Sequence, residues 1–98
     1  MTPSMTFGQP MPAQSQVVAY TGTAGTIANA LPANCTTVHV MVTTDAFVDI
    51  TTTGTAAVAN TGMYMTAFVA EYFSAPAGGK VSSIQVSAGG NLYVTPFA

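Results

Sequence analysis

Charge is what this sequence has least of. Only 4% of its 98 residues are charged, where an ordinary soluble domain has about 25%. Arg is absent, Lys80 is the one lysine, and the acids are Asp45, Asp49 and Glu71, for a net charge of −2. Nucleic acids are held by several Lys or Arg contacts to phosphate, which one lysine does not supply. Cysteine is nearly missing too: Cys35 stands alone, which excludes an intrachain disulfide and a disulfide-stapled secreted domain. Long apolar runs are lacking. The best, MYMTAFVAEYF at 63–73, is broken by Thr66 and Glu71 and falls short of the ~20 residues of a spanning helix. The opening MTPSMTFGQPMPAQSQ has neither the basic region nor the apolar block of a secretory signal. No membrane partner is expected, and the glycosylation pattern Asn34-Cys35-Thr36 carries no weight without export.

What remains is 49% hydrophobic, padded with Thr, Ser, Asn and Gln. A chain of this length makes one domain with one modest core. With so little charge, colloidal repulsion is weak and association is favoured. A subunit of a larger assembly fits better than a free enzyme.

Residues 1–15 hold Pro3, Pro10 and Pro12. Each fixes φ and removes a donor, so the segment reads as an extended N-terminal arm, with 16–98 as the β domain. Met5, Phe7 and Met11 are candidate partner-binding anchors, because thioethers and aromatics adapt to a neighbour's surface.

The domain reads as short strands. QVVAYT at 16–21 is one, and Thr26–Ala28 a weak one. CTTVHVMVTT puts Val38, Val40 and Val42 on one face and Thr37, His39, Met41 and Thr43 on the other. DAFVDITTT alternates Val48 and Ile50 against Phe47 and Asp49. Residues 63–73 allow a helix through Tyr64, Phe68 and Tyr72, or strands through Met63, Met65, Ala67 and Val69. The strand-like neighbours favour strands broken near Thr66–Phe68. VAEYFS, KVSSIQVS and NLYVT follow, separated by APAGGK and a hairpin turn at AGGN, with Pro96 ending the last. Seven or eight short strands at such spacing predict an all-β fold, an antiparallel β-sandwich or a jelly-roll-like small barrel. The expected core is Val18, Val38, Val40, Val42, Val48, Ile50, Val69, Ile84, Val86, Leu92 and Val94.

Residues with chemistry are few. His39 has Cys35 four residues before it, on the same face of a regular strand but roughly 13 Å away; neither a metal site nor a catalytic dyad is expected. Asp45 and Asp49 are similarly separated, and Asp45 reads as a turn residue bonding its own backbone. GGKVS at 78–82 lacks the leading Gly and final Ser/Thr of a phosphate-binding loop. Lys80 is expected to top a turn or pair with Glu71 across a hairpin. Cys35 reads as an inert buried thiol. No catalytic residue, metal or cofactor is expected.

The order of these strands and turns carries a resemblance. VHVMVTTDAFVDI, a Thr/Ala-rich crossing, then VAEYFSAPAGGKVSSIQVSAGGNLYVT resembles small all-β virion proteins of tailed double-stranded DNA phages, over roughly residues 36–95. The matching features are the alternating strand ending in Thr-Thr-Asp-Ala-Phe-Val, the Glu-Tyr-Phe strand, the Pro-x-Gly-Gly-Lys turn and the closing Gly-Gly-Asn-Leu-Tyr-Val. The resemblance implies a non-enzymatic head decoration or cement protein in the virion. It would bind the major capsid protein or other virion subunits as a homo-oligomer, with a trimer favoured. A head–tail connector or tail accessory subunit is the alternative. A carbohydrate-binding module stacking sugars on Tyr20, Tyr64, Tyr72 and Tyr93 is a rival of another class. An ice-binding surface is a weaker one, because TTT at 51–53 is not an alternating Thr ladder.

Overall fold

A computed structural model describes residues 9–98. They form a short 3-10 turn, Pro12–Gln14, and eight strands: β1 Gln16–Tyr20, β2 Gly25–Thr26, β3 Thr37–Val42, β4 Ala46–Thr51, β5 Met63–Met65, β6 Glu71–Ser74, β7 Lys80–Gln85 and β8 Gly90–Phe97. All pairings are antiparallel, in two four-stranded sheets packed as a sandwich and not closed into a barrel. Sheet A has the order β1-β8-β3-β6 and sheet B the order β2-β7-β4-β5.

That order has a simple origin. Strand 1 pairs with 8, 2 with 7, 3 with 6 and 4 with 5, as if the chain were one long hairpin. The ribbon is then rolled so that β8 meets β3 and β7 meets β4. This is jelly-roll topology. Apart from β4 to β5, every connection crosses between the sheets. AGGN therefore links β7 to β8 across the sandwich and is not the expected hairpin turn. For the same reason Glu71 on β6 and Lys80 on β7 lie in different sheets. They make no pair; Lys80 Nζ donates instead to the Ala28 carbonyl at 3.3 Å.

Alternation along the strands fills the core. Val38, Val40 and Val42 of β3, Ala46 and Val48 of β4, Val81 of β7 and Leu92 and Val94 of β8 are buried, with Tyr20, Ile27, Leu31, Cys35 and Met65. Val18, Ile50 and Phe73 pack at the margin. Full burial of side chains of this size is worth about 1.5–3 kcal/mol each. Two expected core residues are outside: Val69 and Val86 lie past the ends of their strands and are 48% and 40% exposed. Strand parity is no guide once a strand has ended.

Residues 63–73 form two strands, β5 and β6, with the break at 66–70. β7 is buried on both faces because the 52–62 loop folds over it, where the Ala57 amide donates to Ser82 Oγ at 2.9 Å. Gly25 allows the turn between β1 and β2 to close, since a Cβ there would collide with the Ala19 carbonyl.

Pro96 does not end β8; it lies inside the strand. The Met11 amide donates to the Pro96 carbonyl at 2.9 Å, and Gln9 and Ala98 exchange two bonds of 2.9 Å. The missing N–H of Pro96 thus falls on the side of residues 9–11, and the β3 pairing keeps its register through Val38↔Pro96. The 9–15 part of the N-terminal segment consequently follows the chain's own β8, and Met11 is half-buried against the chain's own core. Met5 and Phe7 lie outside the described residues.

Candidate interaction surface

The residues with chemistry are dispersed. Cys35 is buried, and its thiol donates to the Thr37 carbonyl at 3.3 Å. His39 lies on the outer face of sheet A, edge-on to Tyr72 with ring centres 5.1 Å apart. The expected common face for Cys35 and His39 fails because Cys35 sits in a turn before β3, its amide bonded to the Pro32 carbonyl. Asp49 stands opposite Ser82 on the outer side of sheet B. Among the described residues no three of His, Cys, Asp and Glu come together as metal ligands would.

Asp45 is the exception in what it organises. It does not bond its own turn, as the sequence suggested. Its carboxylate accepts from the Tyr64 hydroxyl at 2.6 Å and from the Ala67 amide at 2.9 Å. The Tyr64 bond, then the Ala67 bond, holds the Asp45 carboxyl below its ordinary pKa of 3.8. The same bond pushes Tyr64 above 10.0. One acid at the β3–β4 turn therefore pins the β5–β6 loop at its start.

The next residue, Phe68, is 69% exposed and has φ of 62°. A bulky side chain in the left-handed region is an outlier and costs on the order of 1–3 kcal/mol. The loop holds it there: the Phe68 amide donates to the Val42 carbonyl at 2.8 Å and the Val69 amide to the Thr66 carbonyl at 3.3 Å. Sequence reasoning did not single out Phe68 as an exposed, left-handed residue. Thr66-Ala67-Phe68-Val69-Ala70 has no Gly or Asn to signal a left-handed turn.

This loop meets the end of β3 at Val42, next in sequence to Met41, which stands in a row on the outer face of sheet A. Val17 of β1 stands opposite Tyr93 of β8, and Tyr93 opposite Met41 of β3. Val17 is 57% and Tyr93 40% exposed. The outward positions of β1, β3 and β8 carry no Asp, Glu, Lys or Arg; the only titratable groups there are His39 and Tyr93. The result is an apolar strip, charge-free at its strand positions, that ends at a strained aromatic loop held by the Asp45 carboxylate.

The four tyrosines make no common platform. Tyr20 is buried with its hydroxyl donating to the Thr44 carbonyl at 2.6 Å. Tyr64 packs edge-on to Phe47 on the outer side of sheet B, away from Tyr72 and Tyr93 on sheet A. Compared with protein families, characterised proteins and solved structures, the chain matches none.

Proposed function

We propose that the chain is a non-enzymatic structural subunit of a virion, decorating or cementing a phage capsid through protein–protein contacts. The observation that carries this reading is the charge-free strip of Val17, Tyr93 and Met41 with exposed Phe68 and Val69 beside it. Contiguous exposed apolar surface marks interaction sites. Mixed charge, the usual means of keeping such a surface monomeric, is almost absent. The resemblance of residues 36–95 to small phage virion proteins supports the same reading. The jelly roll agrees with it by analogy, being common in capsid domains but also in lectins and cupins. The dispersed tyrosines do not favour sugar stacking.

The mechanism is burial. Apolar faces of the subunit are removed from water against the shell and against sister copies, at about 25 cal/mol per Å². Quantitative mass spectrometry of purified particles tests it. Head decoration requires on the order of hundreds of copies per particle, whereas about a dozen or fewer assigns a connector or tail subunit. Absence of the chain from mature particles refutes the virion reading.

A further inference from the structure

We infer that copies of this chain meet each other through the outer face of sheet A, with Phe68 as the anchor of the contact. The inference rests on the reading of the chain as an assembly subunit and adds to it which surface joins the copies.

Three observations converge. The Val17–Tyr93–Met41 row is apolar, and the 66–70 loop is bonded to the end of β3 at Val42, the residue after Met41. Against the Val17–Tyr93–Met41 row its partner must be uncharged, because a charged group buried there would find no counter-ion; the nearest acid, Asp45, stands at the loop end, bonded to the Tyr64 hydroxyl and the Ala67 amide. A second copy of the same strip satisfies that condition, and two such strips meet without repulsion. A standard contact would take about 800 Å² from each partner, roughly one sixth of the 5014 Å² the chain exposes. Sheet B's outer face is less available, since the 52–62 loop lies over it at Ser82.

Phe68 is the natural anchor. Interface energy concentrates in a few aromatic residues at well-packed positions, and residues fixed in advance lose less entropy on binding. Phe68 is fixed by its own bond to Val42 and by the Asp45 bond to the preceding amide. A left-handed backbone under an exposed phenyl does nothing for the packing of the monomer. It aims the ring.

Sedimentation velocity of the full chain over a range of concentrations tests this. The wild type should sediment as an oligomer. Phe68→Gly removes the ring and suits the positive φ, so its thermal midpoint should not fall, yet its association should weaken roughly tenfold or more. Val17→Lys, at a 57% exposed position, should do the same by placing charge on the row. Val58→Lys, at a 60% exposed position of the 52–62 loop, should associate like the wild type.

A monomeric wild type overturns the inference, and so does wild-type association in Phe68→Gly and Val17→Lys, or loss of association in Val58→Lys. If oligomers appear only after deletion of residues 2–8, the strip belongs to the chain's own N-terminal segment, and the inference fails. If Phe68 instead drives flotation with phosphatidylcholine vesicles while the protein stays monomeric, the ligand is lipid, and it fails again. Particle copy number decides the virion reading separately: a chain monomeric in solution but abundant on particles defeats only the present inference.

Discussion

Ser83 is the one residue whose buried side-chain oxygen finds no hydrogen-bond partner among the described residues. It faces the core from the middle of β7, between Gly25 of β2 and Val48 of β4. Its neighbour Ser82 points the other way and is fully used, accepting from Thr26 Oγ1 and the Ala57 amide. The two serines are adjacent in sequence and opposite in consequence. An unpaired buried hydroxyl keeps its desolvation cost, of order 1–3 kcal/mol. Ser83→Ala should therefore raise stability by about 1 kcal/mol in urea unfolding, whereas Ser82→Ala should lower it by about the same amount, because it strands the Ala57 amide. A destabilised Ser83→Ala would mean that the hydroxyl has a partner in the folded protein. Pro96 makes the same point for the backbone. Its missing donor is harmless because it falls opposite residues 9–11 and not opposite β3.

The β5–β6 loop shows how one element depends on ionisation. Asp45 has its pKa lowered in the folded chain, so its contribution to stability is complete above the ordinary 3.8 and disappears as pH falls through the lower folded value. Tyr64 is raised above 10.0, so its contribution is complete below 10.0 and is lost as pH climbs through the higher folded value. The Tyr64–Asp45 bond thus holds across the whole interval between. Amide exchange at Ala67 and Phe68 should stay slow through that interval, after correction for intrinsic rates, and rise below it. Asp45→Ala should make it fast at every pH; protection that survives Asp45→Ala removes the clamp from the account. A second element-level expectation concerns residues 9–15. Deleting residues 2–8 leaves the Gln9–Ala98 and Met11–Pro96 bonds, but deleting 2–15 removes them together with the contact of Met11 on the core. The longer deletion should cost about 2 kcal/mol more, and equal thermal midpoints would show that this segment is not held. At this scale the sequence was legible in parity and not in pairing. The period of two placed Val38, Val40 and Val42 inward and His39 and Met41 outward, because alternation is a local property. The turn residues of AGGN and APAGGK mark reversals, but they do not say whether the chain reverses within a sheet or crosses to the other one. Tyr20 and Met65 escaped notice as core residues because a phenol and a three-residue strand carry weak local signals. Phe68 escaped because its backbone is set by Asp45 and Val42, distant in sequence.

For the whole molecule the governing quantity is the shortage of charge. Three acids and one lysine are spread over the turn at Asp45, the outer side of β4, the edge strand β6 and the start of β7. None stands on the Val17–Tyr93–Met41 row. Two consequences follow for association, and they point the same way. Electrostatic repulsion between copies is small at neutral pH and smaller still near the sequence pI of about 4.5. Electrostatic attraction is equally small, because the row itself offers no charge to pair and the chain holds only one lysine. Salt acts on surface charges through a screening length that shrinks from about 14 Å at ~0.05 M to about 3 Å at ~1 M, and here it has almost nothing to screen. What is left is burial of apolar surface, which excluded salts such as sulfate strengthen. Association of the chain should therefore be undiminished by sodium chloride between those two concentrations, tighter in sodium sulfate, and accompanied by a negative heat-capacity change. Sedimentation velocity in the salt series and dilution calorimetry at several temperatures measure all three. Dissociation on adding sodium chloride would mean that the copies are held by charged groups, and the apolar face of sheet A would then lose its claim to be the surface that joins them.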